Sequence, residues 1–440
     1  MASGSDSHKA SRAKAALGDI TQTVTSRRAV LSGLGMAALF APSVARAQQL
    51  TIDEILRDPS RGQWNDQFDT GGKSRQEVAS QLPILSDQTV AYVESAISQY
   101  SQIVGQGGWP VVPATKKMKL GVRDAAVEPL RKRLMISGDL DLRAGMSDTY
   151  DSFVDGAVKR FQARHGLPND GVIGNQSLQA INVGADVRLG QLQTNLVRLR
   201  SMAGFKGDRY VMVNIPAAEL EVIEADRVVQ RHTTVVGKID RQTPILNSKI
   251  HEVILNPTWT APKSIILKDI IPVMRKDPEY LTRNSIRIFD WNTMQEIPPT
   301  AIDWSTDQAA NYMLRQDPGK NNAMSSTKIN FPNPHAVYMH DTPQQNLFLN
   351  SVRFDSSGCV RVHNVKDLSL WLLRNTPGWN RQQMDGVIES RVNTPIAVAD
   401  PVPLYFTYVT AWATPNGIVH FRDDIYKRDG VDELNLTSTL

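Results

Sequence analysis

The chain has 440 residues, 41% of them hydrophobic and 21% charged, and a formal net charge of +4. These are globular proportions over a length that suits two or three domains, so disorder is not the starting assumption. The mild positive charge fits a polyanionic partner. No block of Lys and Arg interleaved with aromatics stands out, which argues against nucleic acid.

The first feature in chain order is Ser26-Arg27-Arg28-Ala29-Val30-Leu31, a twin-arginine pattern, with an apolar run from Leu31 to Phe40 and Ala45-Arg46-Ala47 in the small-x-small form of a cleavage site. A run this short cannot span a hydrocarbon layer of about 30 Å as a helix. Residues 1–47 therefore read as an export signal of the Tat type, an address that a receptor reads and not an anchor. The composition includes a single cysteine, so the exported protein has no internal disulfide. A lone thiol in an oxidising compartment is a liability unless it is buried or employed.

Residues 48–126 alternate helical and loop-rich stretches, with a helix over Thr89–Tyr100 that Gly107-Gly108-Trp109-Pro110 breaks. From 127 to 183, Leu130, Leu134, Val154, Val158, Phe161, Leu178 and Ile181 recur at helical spacing and predict three short helices around one small core. His165-Gly166 ends the middle helix. His165 could be a ligand of some kind, but its place at a helix end favours a structural role. Tyr150, Ala157, Gln162, Leu167, Asp170-Gly171 and Ile173-Gly174 complete a pattern that resembles the small three-helix peptidoglycan-binding domain.

Arg188–Ala203 predicts a longer helix with Leu189, Leu192, Leu196 and Leu199 on one face. Beyond it the period falls to two. Arg209–Ile215, Glu219–Glu224 and Val228–Val236 are predicted strands, with Ala225-Asp226 as the turn between the second and third. Val253–Leu255, Val337–His340 and Leu404–Ala411 continue the β character, and Ser264–Lys276 and Lys366–Arg374 are predicted helices. The stretch 264–327 is a long insertion whose apolar anchors are expected to be Trp291, Ile302 and Trp304. A connection this long is usually a functional lid or disordered, and the anchors favour the lid.

The residues that carry chemistry follow: His340-Asp341, then Arg353, then Ser356-Ser357-Gly358-Cys359-Val360-Arg361-Val362-His363-Asn364. Thiol catalysis needs a nucleophile, a base to take its proton and donors for the oxyanion. Cys359 follows a glycine in a polar segment that suits an exposed loop. His340 lies upstream at a plausible fold-back distance. The N–H groups of Gly358 and Cys359 are the expected oxyanion donors. Asn364, with Asp367 three positions on, reads as the cap of a bracing helix.

This signature resembles that of the L,D-transpeptidases: a His, then Ser-x-Gly-Cys-Val-Arg and an Asn shortly after. Many members carry His where this chain has Ser357, while the large Gram-negative members carry Ser-Ser-Gly-Cys. Thr243-Pro244, Asn256-Pro257-Thr258-Trp259, Ile302-Asp303-Trp304, Lys328 and Tyr338 are similar to that subfamily too. The resemblance implies catalytic Cys359 and His340, with the imidazole oriented by a main-chain carbonyl and not by the Asp341 carboxylate. It implies substrate-binding or supporting roles for Tyr338, Ser357, Arg361, Asn364 and Trp304, with Arg361 either meeting a substrate carboxylate or bracing the loop, and a periplasmic location. A stem tetrapeptide would be the donor, losing D-alanine to form a thioester. A diaminopimelate amine would be the acceptor, giving a 3→3 cross-link, and carbapenem-type β-lactams would inhibit. Protein attachment, D-amino acid exchange and hydrolysis would share the same thioester. No cofactor or metal is required.

Rival readings are weaker. His335, His340 and His363 lack metal-ligand spacing. Ser325-Ser326-Thr327-Lys328 satisfies Ser-x-x-Lys but lacks the companion motifs of penicillin-binding enzymes. An inert wall-binding protein would not need an intact Cys–His pair. The expected architecture is α+β. It comprises a helical scaffold (48–126 and 184–205), a three-helix peptidoglycan-binding domain (127–183), a mixed β-rich L,D-transpeptidase catalytic domain (206–425) with its lid at about 264–327, and a tail (426–440).

Overall fold

Helix α1 (Asp87–Gly105) begins where Ser86 Oγ accepts the Thr89 N–H, with Asp87 favourably placed in the first turn. A computed structural model describes residues 80–113, 117–203 and 207–430. The export signal, the scaffold before residue 80 and the last ten residues lie outside them. Helix α1 stops at Gly107 and Gly108, both at positive φ, a backbone conformation that glycine enters without strain.

Three short helices follow: α2 (Val127–Ile136), α3 (Ser152–Arg164) and α4 (Asn175–Asn182). Asp151 caps α3 by accepting the Phe153 and Val154 N–H groups, and Gly166 at φ +69° ends it. Their fully buried Leu130, Leu134, Val154, Val158, Phe161 and Ile181 form a core of their own. Helix α5 (Ala185–Ala203) then runs back beside α1, and Leu192 and Leu199 join Val93, Ala96 and Tyr100 in a second core.

The strands are β1 (Arg209–Asn214), β2 (Glu219–Glu224), β3 (Arg227–Gly237), β4 (Leu246–Leu255), β5 (Trp259–Thr260), β6 (Ile286–Phe289), β7 (Glu296–Ile297), β8 (Met313–Gln316), β9 (Thr327–Asn330), β10 (Met339–His340), β11 (Phe354–Ser356), β12 (Val360–Val362), β13 (Thr394–Thr407), β14 (Ala411–Ala413) and β15 (Val419–Phe421). Among the described residues, nine of them make one mixed sheet in the order β11-β3-β12-β10-β9-β4-β13-β1-β2. Pairing of β2 with β3 closes it into a barrel. The β2–β3 turn is Ala225-Asp226, both at positive φ, as a tight hairpin turn demands.

Strand β1 is formed where predicted and is buried on both faces. Val211 and Val213 point into the barrel, while Tyr210 and Met212 point out beneath α1 and α5. Both faces are covered, so the strand reads as nearly continuous apolar sequence. Helices α6 (Val365–Leu372) and α7 (Arg381–Ser390) send Leu368, Leu372 and Met384 into the barrel core.

The insertion is ordered around its own sheet, β5-β8-β6-β7, with Ile266, Ile270, Leu281, Ile288 and Leu314 in a fourth core. Its expected single helix is broken into Lys263–Ile265, a π-wound Ile266–Ile270 and Ile271–Met274. Pro272 has no N–H to donate to Lys268, so a regular ladder cannot run through it. Ile302 and Trp304 anchor the unit as expected, but Trp291 does not, being 54% exposed. The segment after 425 does not start as a tail: Tyr426 packs into the barrel core and Asp429 is buried.

Candidate active site

Cys359 ends a three-residue crossing, Ser357–Cys359, that links β11 to β12 over the end of β3. The crossing is tight. Gly358 adopts φ +109°, and a side chain on Gly237 beneath it would meet the Arg241 carbonyl oxygen at 2.2 Å. Thr243 Oγ1 donates to the Gly358 carbonyl at 2.9 Å and accepts the Gly237 N–H at 2.9 Å. Tyr426 Oη donates to the Gly237 carbonyl at 2.6 Å and accepts the Thr243 N–H at 3.2 Å. Ser356 Oγ donates to the Cys359 carbonyl at 2.5 Å and accepts the Gly358 N–H at 3.2 Å. The last bond corrects one expectation: the Gly358 N–H is engaged by Ser356 and is not a free oxyanion donor.

The register of parallel strands β10 and β12 brings the expected base and nucleophile together. Met339 pairs with Val360 and His340 with Arg361, so Cys359 stands beside Tyr338. Alternation puts Tyr338, His340, Cys359 and Arg361 on one face. His340 Nδ1 lies 2.5 Å from the Asp341 carbonyl oxygen. A carbonyl can only accept, so Nδ1 holds the proton and Nε2 of the neutral ring keeps its lone pair. The Asp341 carboxylate faces elsewhere, accepting from Ser326 Oγ at 2.7 Å, Thr342 N at 2.8 Å and Gln345 Nε2 at 3.1 Å.

Electrostatics favour a neutral pair at rest. Burial, then the positive charges of Arg361 and Lys328, lower the His340 imidazole to about 4, against the partial opposition of the Asp341 carbonyl and carboxylate. Desolvation pushes the Cys359 thiol up, while hydrogen bonding from the Tyr338 backbone and hydroxyl and the charges of Lys328 and Arg361 pull it back. Lys328 itself is lowered by desolvation, and its Nζ sits 4.4 Å over the Tyr338 ring.

The other expected site residues divide. Ser357 Oγ accepts from Arg241 Nη1 at 2.9 Å, and the same guanidinium holds Asp269 of the insertion at 2.8 and 3.2 Å. Arg361 Nη1 donates to Gln344 Oε1 at 2.9 Å. Asn364 is an exposed residue in the left-handed conformation whose side chain makes no cap bond to α6, so the expected cap is absent. It lines a depression with Gln230, His232, Asp367 and Trp371, not with the thiol. Trp304 is part of the insertion's own core, its Nε1 donating to the Pro299 carbonyl at 2.9 Å. His165, stacked on Phe161 and Phe421, has a packing role. Sequence reading missed the contributions of Arg241 and Tyr426, and it named Thr243 and Lys328 within the family resemblance without giving them a role. No local spacing flags Arg241 or Tyr426, whose contacts join segments distant in sequence.

Residues 208–398 match the family model of the L,D-transpeptidase catalytic domain, and residues 123–181 that of a "Putative peptidoglycan binding domain". The chain carries an L,D-transpeptidase catalytic domain. It is similar to a "Putative L,D-transpeptidase" of Haemophilus influenzae, 35% identical over 240 residues, which is 54% of this chain and 48% of the relative. The chain thus spans about half the length of that curated relative. Among solved structures, an L,D-transpeptidase of Xylanimonas cellulosilytica is 16% identical, covering 67% of this chain and 99% of its own at a TM-score of 0.22. One of Mycobacterium smegmatis is 12% identical, with 46% and 58% covered and a TM-score of 0.23. Likenesses this loose carry no argument. Within the L,D-transpeptidase domain, residues 208–398 include β1 through β12, and so both Cys359 and His340.

Proposed function

We propose that the protein is an exported peptidoglycan L,D-transpeptidase that works through a Cys359 thioester. The observation that carries this reading is the single face shared by Cys359 and His340, with Nδ1 committed to the Asp341 carbonyl and Nε2 left as the basic atom. Because thiol and imidazole rest neutral, the proton moves at the moment of attack. Nε2 takes it from Sγ as the S–C bond forms to the carbonyl of the third stem residue. The Cys359 N–H supports the oxyanion. The imidazolium then protonates the departing nitrogen as the C–N bond breaks, and D-alanine leaves. In the second half-step a diaminopimelate amine of a neighbouring stem attacks the thioester. A new C–N bond forms, the C–S bond breaks, and the amine's proton returns through Nε2 to sulfur. The product is a 3→3 cross-link.

The three-helix unit supports a wall substrate, and the twin-arginine segment supports delivery to the periplasm. Carbapenem-type β-lactams, which present a strained amide, are expected to acylate the same thiol. Intact mass spectrometry after incubation with a tetrapeptide and with a carbapenem tests the reading. One adduct per chain on the wild type and none on Cys359→Ala is expected. An adduct on Cys359→Ala refutes it.

A further inference from the structure

Strands β9, β10 and β12 carry Lys328, His340 and Arg361 as direct register partners, so three basic side chains stand in one row across the cleft face. His340 rests neutral between the other two, so the two charges of the row are Lys328 and Arg361, one on each neighbouring strand and both facing the same cleft.

The carboxylates that face the row act on it without pairing: Asp355, which opposes the desolvation that lowers Arg361, is paired with Lys238 at 3.1 Å, and Glu252 opposes the desolvation that lowers Lys328 without forming an ion pair with it. Arg361 hydrogen-bonds the uncharged Gln344. Among the described residues Lys328 makes no ion pair, and the aromatic face of Tyr338 is its close neighbour. Glu252 is a strand further on and accepts from Asn330 Nδ2 at 2.6 Å. The Asp341 carboxylate is taken up by Ser326, Thr342 and Gln345. Elsewhere in the same domain Arg231, Arg241 and Arg287 each meet a carboxylate within 3 Å. Lys328 and Arg361 are both half-buried, and a half-buried cation without a counter-ion is costly unless an anion joins it.

We infer that Lys328 and Arg361 form a subsite for a carboxylate of the donor peptide. The row containing them adjoins the row of Cys359 and Tyr338, so an anchored carboxylate holds the scissile carbonyl over the thiol. The inference rests on the proposed transpeptidase reading and deepens it. A stem tetrapeptide offers two carboxylates close to the scissile bond: the terminal one of the departing D-alanine, and that at the far end of the diaminopimelate side chain. Either has the required chemistry. An anion between the two cations also removes much of their repulsion for a proton on His340, so the base strengthens when the donor is bound (a consequence, and not the ground, of the assignment).

The test compares three donors on the full-length protein: the tetrapeptide, its terminal carboxamide, and its diaminopimelate carboxamide. Acylation is followed by intact mass, with D-alanine or D-alaninamide release measured in parallel. A charge-assisted pair predicts that one of the two amides loses about 10- to 100-fold in kcat/KM, mostly through KM, and that amide names the carboxylate bound. Lys328→Met should slow the parent peptide by a similar factor while slowing that amide little further, and Lys328→Arg should keep most of the preference. Arg361→Gln supplies the same comparison from the other side of His340. Equal rates for all three donors on the wild type overturn the subsite and leave the transpeptidase reading standing. Equal slowing of acid and amide by Lys328→Met also overturns it, because the residue would then act on the fold alone. A wild type that reacts with none of the peptides, while iodoacetamide still alkylates Cys359, refutes the transpeptidase reading and the subsite together.

Discussion

The resting state of the base makes a sharp prediction about acid. An imidazole of ordinary value near 6.5 is about 90% protonated at pH 5.5, so a rate that needs its free lone pair falls about tenfold. His340, lowered to about 4 by burial and its two cationic neighbours, is only a few per cent protonated there. The second-order rate of carbapenem acylation should therefore be nearly flat from pH 7 to about 5 and fall as pH drops through about 4. Replacing Arg361 by Met removes one of the charges that holds the proton off, so the acid limb should move to higher pH. The position of the limb is the readout, not its height, because Arg361→Met also weakens binding of an anionic drug. The assay is loss of carbapenem absorbance across a pH series, checked by adduct mass. A wild-type limb near 6.5, or an unmoved limb in Arg361→Met, would refute the neutral-pair argument.

His340→Ala should slow acylation by about 10²–10⁴ at neutral pH and recover partly as pH rises toward the thiol value, read in the same assay. Thermal unfolding followed from pH 7 downward should show a falling midpoint between about 6.5 and 4. His340 and the buried His165 and His420 are neutral in the fold and take protons only when it opens, so the unfolded chain binds more protons in that window and stability is lost as pH falls. Phe161→Ala should cost about 3–5 kcal/mol in the three-helix core, measured by denaturant unfolding, and weaken sedimentation with purified sacculi. Arg241→Ala, which frees Asp269 from Ser357, should raise the ratio of thioester hydrolysis to aminolysis while changing carbapenem acylation less.

Much of this was legible because local chemistry and tertiary structure agreed. The three small helices follow from the spacing of Leu130, Val154, Val158 and Phe161, and Asp151 and Gly166 mark the ends of the middle one. The Ala225-Asp226 turn was readable from its residues. The pairing of Cys359 with His340 on one face was readable because a lone cysteine after glycine, behind a strand ending in histidine, has few other uses. What was not legible depends on register between distant strands. No sequence period says that Lys328 will lie opposite His340, or that Tyr426, placed in a tail, will return to brace the nucleophile loop through Gly237. Asn364 shows the converse error. Asn before a helix is a good cap by propensity, but here the chain leaves β12 in the left-handed conformation and carries the side chain away from the N–H groups it would cap.

The two accessory units are tied to the rest of the fold by different physics, the three-helix unit through the β14–β15 hairpin and the inserted unit through the loop that carries Cys359. The three-helix unit is fixed from within. Arg164, itself buried and paired with Asp139 at 2.6 Å, donates to the Val419 carbonyl of β15, and Arg422 donates back to the Arg164 carbonyl at 3.0 Å. His165 stacks on Phe421 of the same strand. Separating these surfaces would leave buried charge and backbone carbonyls without partners, each costing about 1–3 kcal/mol or more. Deleting 127–183 would therefore damage β15 and the α1–α5 core as well as remove a binding surface, so single substitutions on its exposed face are the better probe of wall binding. The inserted unit has a complete core of its own, and its polar tie to the nucleophile loop is the Arg241–Asp269 pair, whose aspartate is 47% exposed. A pair of that exposure contributes about 0–1 kcal/mol. The Arg241–Asp269 latch is weak by itself, whereas separating the three-helix unit from β15 leaves buried polar groups without partners. Under the proposed transpeptidase reading, a three-helix unit locked to β15 and a weak latch near Cys359 suit holding a polymer in one orientation while its peptides enter and leave.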